Sequence, residues 1–503
     1  MGKKYTGEIA KKRKEKQAAR WKHIQAINDN QVLEELPEIL LPEIFNEIKE
    51  VYWASLKSIP DPRRRDNRVY PLHLILHRII SGFIEGNKYI GVLFPKKRMK
   101  TEPGKKKLGA LPTRKVVYNV LRKIDWNTAN EMLAPLWDRL GYTPDLVVRR
   151  EFRNPRVILD EFHEGQNRVD AERREKISAE RKAEERSKGM SAAKAKRPAP
   201  SKPRNHKATQ QAAPPEKQKG SRSIKIQHDL LVDGKVVKAS YNAGVTERFV
   251  HVTEVRADDK DNRRRFIIGA HPTELDRNGE WGAALCVLDA LTPLPGDKVV
   301  VVSGDAGFCV EEFCEWLTAK GFFFYLFRIK ENAGKIYSRV LDWAEDSVKR
   351  CPEGHYRQDG HLESDEIQSR SLWRLPGLRH AVYPGIQEGF VIHKTNLVTG
   401  ETDRQYFITN RPPEEWCDQS VINRILLHWD TETGVFGVKD NTFHEDKVRY
   451  KSIQGARGHV ATLNIAWNCL SAPIFDGYWQ GEPMSHRIQF WKDHPEFNPL
   501  RAD

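Results

Sequence analysis

The stretch Val299-Val300-Val301-Val302-Ser303-Gly304-Asp305-Ala306-Gly307 decides how this chain folds. A short run of valines closed by glycine and aspartate suits a strand covered on both faces, as strands are inside a parallel sheet. Downstream, Val310 to Lys320 carries apolar residues at helical spacing, and Phe322 to Ile329 reads as a second buried strand. Upstream, Glu274 to Leu291 reads as a helix. Before it lie β-branched or aromatic runs, Ile224 to Val232, Lys235 to Tyr241, Phe249 to Arg256 and Arg265 to Gly269, broken by Gly, Asn and Asp. The order of three or four strands, helix, strand, helix, strand predicts an α/β domain.

The 503 residues are too many for one core and suggest about three domains. Residues 1–30 are basic and polar, the composition of a flexible arm. Residues 31–163 form an expected helical N-terminal domain, with apolar residues three or four apart in Val32 to Val51, Leu72 to Ile84 and Val116 to Leu133. Residues 164–222 are rich in Lys, Arg, Glu, Ala and Pro and hold too little apolar surface to offset ordering entropy, which predicts a charged, disordered or partly helical linker. The α/β domain then occupies 223–339 and 414–503. An irregular, strand-like insertion at 340–413 interrupts it, with a turn at Thr399-Gly400, and helical spacing returns from Glu414 to about Lys439.

A net charge of +15 implies an anionic partner, because clustered Lys and Arg release condensed counterions from a polyphosphate. Nucleic acid leads that class and an anionic membrane surface follows. A membrane-spanning helix is excluded, since the apolar stretch Leu72 to Ile84 is interrupted by His73, His77 and Arg78. The six cysteines contain no CxxC pair and read as reduced, small buried residues rather than zinc ligands.

Asp305 is one of two acidic residues that close apolar runs. The other is Asp233, after Leu230-Leu231-Val232 and before Gly234-Lys235. Strand ends of open sheets are where ligands gather, although either aspartate alone would also serve as a turn or cap residue. Asp160, after Val157-Ile158-Leu159, is a rival for the first position. A third carboxylate lies in His428-Trp429-Asp430-Thr431-Glu432, which runs on to Lys439-Asp440 and Phe443-His444-Glu445-Asp446. Four residues separate His428 from Glu432 and seven separate Glu432 from Lys439, both close to whole α-helical turns. On a helix the carboxylate is thus flanked by two potential phosphate contacts, or all three belong to a solvated face. Gly434 and Gly437 weaken such a helix. Carboxylates from two strands and one helix would give two hard cations oxygen ligands, the arrangement that phosphodiester chemistry uses.

These blocks resemble the insertion-sequence DDE transposases of the H-repeat-associated type. The resemblance rests on Asp61-Pro62-Arg63, Tyr70-Pro71-Leu72, Leu111-Pro112-Thr113 and Val232-Asp233-Gly234-Lys235. It continues through Thr273-Glu274-Leu275, Gly304-Asp305-Ala306, Lys330 with Asn332, and His428-Trp429 through Glu445-Asp446. It implies an RNase H-like mixed sheet with a β-rich insertion before the last catalytic helix. It also implies a catalytic triad of Asp233, Asp305 and Glu432, which would bind two Mg2+ ions with Mn2+ as a substitute, and DNA contacts at Lys439, His428 and Lys330. The implied activity is cutting and joining of double-stranded DNA at element ends by a homodimer or higher oligomer. The implied location is the bacterial cytoplasm, at the nucleoid during the reaction. A transposase-derived DNA-binding protein without catalysis and a standalone metal-dependent nuclease are the competing readings. Glu445 and Asp446 either reinforce the metal site or cap the turn, and Glu274 either approaches the metals or starts a helix.

Overall fold

The computed structural model describes residues 53, 56–64, 70–87, 90–94, 112–124, 133, 152–194, 226–236, 248–255, 265–273, 279–291, 298–361, 367–445, 453–471 and 484–493. Contacts group the chain into two compact units, residues 1–142 with 438–503, and residues 143–437. Glu274, Leu111 and Asp446 lie outside the described residues, as does the arm at 1–30.

In the first unit, α1 (Leu72–Ile84), α2 (Ile90–Leu93) and α3 (Arg114–Leu121) come from the N-terminal part of the chain. Leu72, Ile75, Leu76, Ile79, Ile80 and Phe83 are buried at the three- and four-residue spacing of one helical face. In Asp61-Pro62-Arg63, the Asp61 carboxylate accepts from the Arg63 backbone N–H at 3.0 Å and from its guanidinium at 2.8 and 2.6 Å. The same guanidinium donates to the Tyr70 carbonyl, which ties this motif to the start of α1.

The second unit begins with α4 (Pro155–Lys194), a single 40-residue helix. The charged segment expected to be a linker is therefore helical as far as Lys194. Asp160 is an exposed residue of this helix and closes no strand.

The sheet follows, with β1 (Ile226–Val236), β2 (Arg248–Val255), β3 (Arg265–Thr273), α5 (Gly279–Asp289), β4 (Lys298–Gly304), α6 (Glu311–Ala319), β5 (Phe323–Ile329), α7 (Lys335–Arg350), β6 (Tyr356–His361), β7 (Ile367–Leu375), β8 (Glu388–Asn396) and β9 (Thr402–Thr409). Then come α8 (Asp418–Asp430), a π-helical turn over Thr431–Phe436, α9 (Gly437–Asn441), α10 (Ile453–Ser471) and α11 (Met484–Asp493). The nine strands form one sheet in the order β3-β2-β1-β4-β5-β9-β8-β7-β6. Pairs β1–β4 and β4–β5 are parallel and the rest antiparallel, a mixed α/β architecture of the RNase H-like kind. Val299 to Val302 are at most 1% exposed, the two-sided burial that the valine run predicts.

Helix α8 lies on the sheet through Val421, Ile422 and Ile425, which pack with Val301, Leu326, Phe390, Ile392 and Phe407. Helix α5 packs on β2 and β3, and α6 on β5.

Three expectations change. The region from Val340 onward was expected to be strand-like, but residues 335–350 form α7, whose Ile336, Val340 and Ala344 are buried at four-residue spacing. Strand β1 runs unbroken through Asp233-Gly234, because antiparallel pairing with β2 continues to Val236↔Arg248. The helix expected from Glu414 to Lys439 is interrupted by the π-turn that contains Gly434.

No described helix is long and apolar enough to cross a membrane. None of the six cysteines forms a disulfide. Cys286, Cys309, Cys314 and Cys469 are buried as expected, whereas Cys351 is half-buried and Cys417 exposed.

Candidate active site where β1 and β4 part

The parallel register of β1 and β4 ends at Val232↔Gly304, so the next residue on each strand is an aspartate. Adjacent strands lie about 4.8 Å apart, which makes Asp233 and Asp305 side-by-side neighbours. Each carboxylate is steered by a local backbone donor: Asp233 Oδ1 accepts from Gly234 N at 2.8 Å, and Asp305 Oδ1 accepts from Gly307 N at 2.8 Å. The second bond caps the short 3₁₀ turn Ala306–Phe308, so the cap role considered for Asp305 is real and coexists with its place at the strand end.

The glycines beside these aspartates stand in close contact with neighbouring side chains. A Cβ on Gly234 would come within 2.3 to 2.8 Å of the Glu280 carboxylate, and one on Gly304 within 2.9 Å of Phe308 and Val232. Glu280, in the first turn of α5, thus lies against β1 beside Asp233, and its Oε2 would be 3.6 Å from a Cβ on Gly307. Glu274, weighed from the sequence as approaching the metals or starting a helix, lies outside the described residues. An acidic residue opening the helix after three strands was the available signal for Glu280.

Helix α8 brings the other elements. It packs on β1 and β4, and the π-turn packs on β1. His428 is 6% exposed, and its Nδ1 has no hydrogen-bond partner among the described residues. Burial holds the imidazole down at about 4, against the opposing pull of the Asp305 carboxylate and with a further push from Arg328. The imidazole is therefore within the field of Asp305 and neutral at pH 7. Glu432 lies within the π-turn. Lys330 is exposed just beyond the end of β5.

Lys439 belongs to the first unit, where it is fully buried and donates from Nζ to Asn464 Oδ1 at 2.5 Å. Glu445 is also fully buried in that unit. The whole-turn spacing that put Glu432 and Lys439 on one α-helical face does not apply through the π-turn, which has more residues per turn.

Residues 261–469 match the family model of the transposase DDE domain. The match supports a DDE transposase. It takes in Asp305, Lys330, His428, Glu432 and Lys439 and begins after Asp233. No curated protein matches the chain.

DDE transposases generally use divalent metal ions. The oxygen-only character of the paired aspartates fits a hard cation such as Mg2+ better than a soft one. Among the described residues no three His, Cys, Asp or Glu side chains are grouped to hold a metal. The two adjacent aspartates are the part of a ligand set that the described structure supplies.

Proposed function

We propose that this chain is a DNA transposase of the H-repeat-associated type, which cuts and joins strands at the ends of its element by phosphoryl transfer. The observation that carries this reading is the β1–β4 register, which makes Asp233 and Asp305 neighbours within an RNase H-like sheet, next to a matched transposase DDE domain. Asp233, Asp305 and Glu432 are the proposed catalytic carboxylates and the residues that would hold two Mg2+ ions. When bound, those ions would supply charge neutralisation at the scissile phosphate and activation of the attacking hydroxyl.

The chain's own residues contribute orientation and exclusion. Backbone N–H groups of Gly234 and Gly307 fix the aspartate rotamers. The buried, neutral His428 can donate or accept a hydrogen bond beside Asp305 without adding charge. Lys330, exposed beyond β5, offers a cation to the DNA backbone. In cleavage, water attacks phosphorus and the 3′-oxygen leaves, carrying the bonding electron pair and taking up a proton. In joining, the freed 3′-hydroxyl attacks a target phosphodiester and expels another 3′-oxygen. Double-stranded DNA ends and target are the proposed partners, bound by a homodimer or higher oligomer in the bacterial cytoplasm.

A second reading, a transposase-derived DNA-binding protein without catalysis, is favoured by one observation. Lys439 is engaged with Asn464, so its proposed phosphate contact requires that bond to exchange. Incubation of the full chain with Mg2+ and DNA carrying the sequences that flank its gene separates the readings. Joined products support the transposase, cleaved but unjoined products support a standalone nuclease, and binding without either supports the second reading.

A further inference from the structure

The second unit contains a buried ion pair that the proposed chemistry does not use. Asp229 on β1 and Arg424 on α8 are 3% and 6% exposed, with Nε 2.9 Å from Oδ1. They are 195 residues apart in the chain. Asp229 lies two strand periods and Arg424 about one helical turn from the candidate site. Asp229 precedes Asp233 by four residues on the same strand, so both side chains stand on one face of the sheet. Arg424 precedes His428 by four residues on the same helix, so these two also share a face.

The arginine is itself held firmly. Its Nη1 donates to the Ser420 carbonyl at 3.0 Å and to Ser420 Oγ at 2.8 Å, which ties the guanidinium to its own helix. Its plane approaches the Trp416 ring at 5.9 Å, and Arg411 lies 5.1 Å from the same ring. Beyond the polar contacts of Asp418 and Gln419 with β7 and β6 at its start, α8 meets the sheet through apolar Val421, Ile422 and Ile425, and apolar contacts have no preferred direction along the helix axis. A small slide of α8 would keep most of that burial but would break the charge-assisted bond to Asp229. Stability is a weak reason for such a pair, because apolar replacement of both members of a buried ion pair is often neutral or stabilising.

We propose that Asp229 and Arg424 are a positioning pair, which fixes the placement of His428 and the Thr431–Phe436 turn along the strand that carries Asp233. The consequence for catalysis rests on the transposase reading; the consequence for the turn does not. The test is the full chain with Asp229→Leu and Arg424→Met together, compared with the parent in three measurements. We expect a Tm within a few degrees of the parent and amide exchange over residues 428–436 about tenfold faster, with β4 and β5 unchanged. We also expect Mg2+-dependent cleavage about a hundredfold slower, the scale of a misplacement near 1 Å. Unchanged exchange over 428–436, with cleavage within about threefold of the parent, would overturn the proposal. If the parent cuts no DNA, the transposase reading fails and the exchange comparison still decides the pair's role. Should the double variant not fold, Arg424→Lys keeps the charge but loses the planar fork. It should show the same local rise in exchange at smaller size, and parental exchange there would equally overturn the proposal.

Discussion

The two ends of α8 are built by opposite rules. At its start, Asp418 accepts from Arg374 Nη1 at 3.3 Å, and the same guanidinium donates to Glu388 at 2.7 and 2.6 Å and to the Pro413 carbonyl at 2.9 Å. Gln419 is engaged by the Tyr356 hydroxyl and donates to Asn423 at 2.8 Å. At its other end the helix widens into a π-turn, and the buried His428 keeps an unpartnered Nδ1 among the described residues. Buried polar groups are normally satisfied, and exceptions gather where a ligand or reaction completes them. One end of α8 anchors the antiparallel extension of the sheet. The other brings His428 within the field of Asp305, with the Asp229–Arg424 pair between the two regimes.

This contrast predicts a separation of effects. The largest belongs to the site: Asp305→Ala or Asp233→Ala should reduce DNA cleavage by about a thousandfold or more while DNA binding stays near the parent's, measured by strand cleavage and gel shift. The anchored end should answer in stability instead. Arg374→Met leaves Glu388, 1% exposed, buried without its cation, a loss of about 3 to 5 kcal/mol. Thermal unfolding should show Tm falling by roughly 6 to 20 °C at the usual scale for a domain of this size. Gly234→Ala should cost less than about 1 kcal/mol, because the Glu280 carboxylate its Cβ would meet is the far end of a flexible side chain that can swing aside, and Glu280→Ala in the same chain should recover that loss. In the π-turn, Gly434→Ala should change stability by at most about 1 kcal/mol. It should slow cleavage more than it lowers Tm, and equal sensitivity of the two would remove the distinction between the ends.

The smallest effect is a pH dependence in the antiparallel extension. Burial, with a contribution from Arg404, lowers His393 from 6.5 to about 4. A depressed histidine stays neutral in the fold while the unfolded chain takes up a proton near 6.5, so its stabilising contribution is present above 6.5 and is lost as pH falls toward 4. His393 is only half-buried, and solvent screening reduces the loss to about 1 kcal/mol. Comparing thermal unfolding at pH 7 and 4.5 for the parent and His393→Gln should show a slightly smaller drop in the variant.

Much of this was legible in the sequence where a physical signal was local. The valine run before Asp305 and the aromatic run Phe323–Ile329 are too apolar to be anything but covered strands, and both are. Helix α7 was missed because its apolar stripe is only Ile336, Val340 and Ala344 among charged residues, a narrow signal. β1 was divided in two because Asp233 and Gly234 ordinarily break strands, whereas hydrogen bonding to β2 carries the strand through them. Side-by-side placement of the aspartates depends on register, and the Asp229–Arg424 pair on tertiary contact; neither leaves a trace in local spacing. The π-turn was half-visible, since the glycines signalled a weak helix but not that it would widen rather than stop.

The central claim is that Asp233 and Asp305, set side by side by the β1–β4 register, work as one site. The most direct test is Mg2+-dependent cleavage and joining of DNA carrying the element's flanking sequences by the parent, Asp233→Asn and Asp305→Asn. The account predicts cut and joined products from the parent and neither product from either variant, with DNA binding retained in both. Strand transfer by either variant at a rate near the parent's would contradict it.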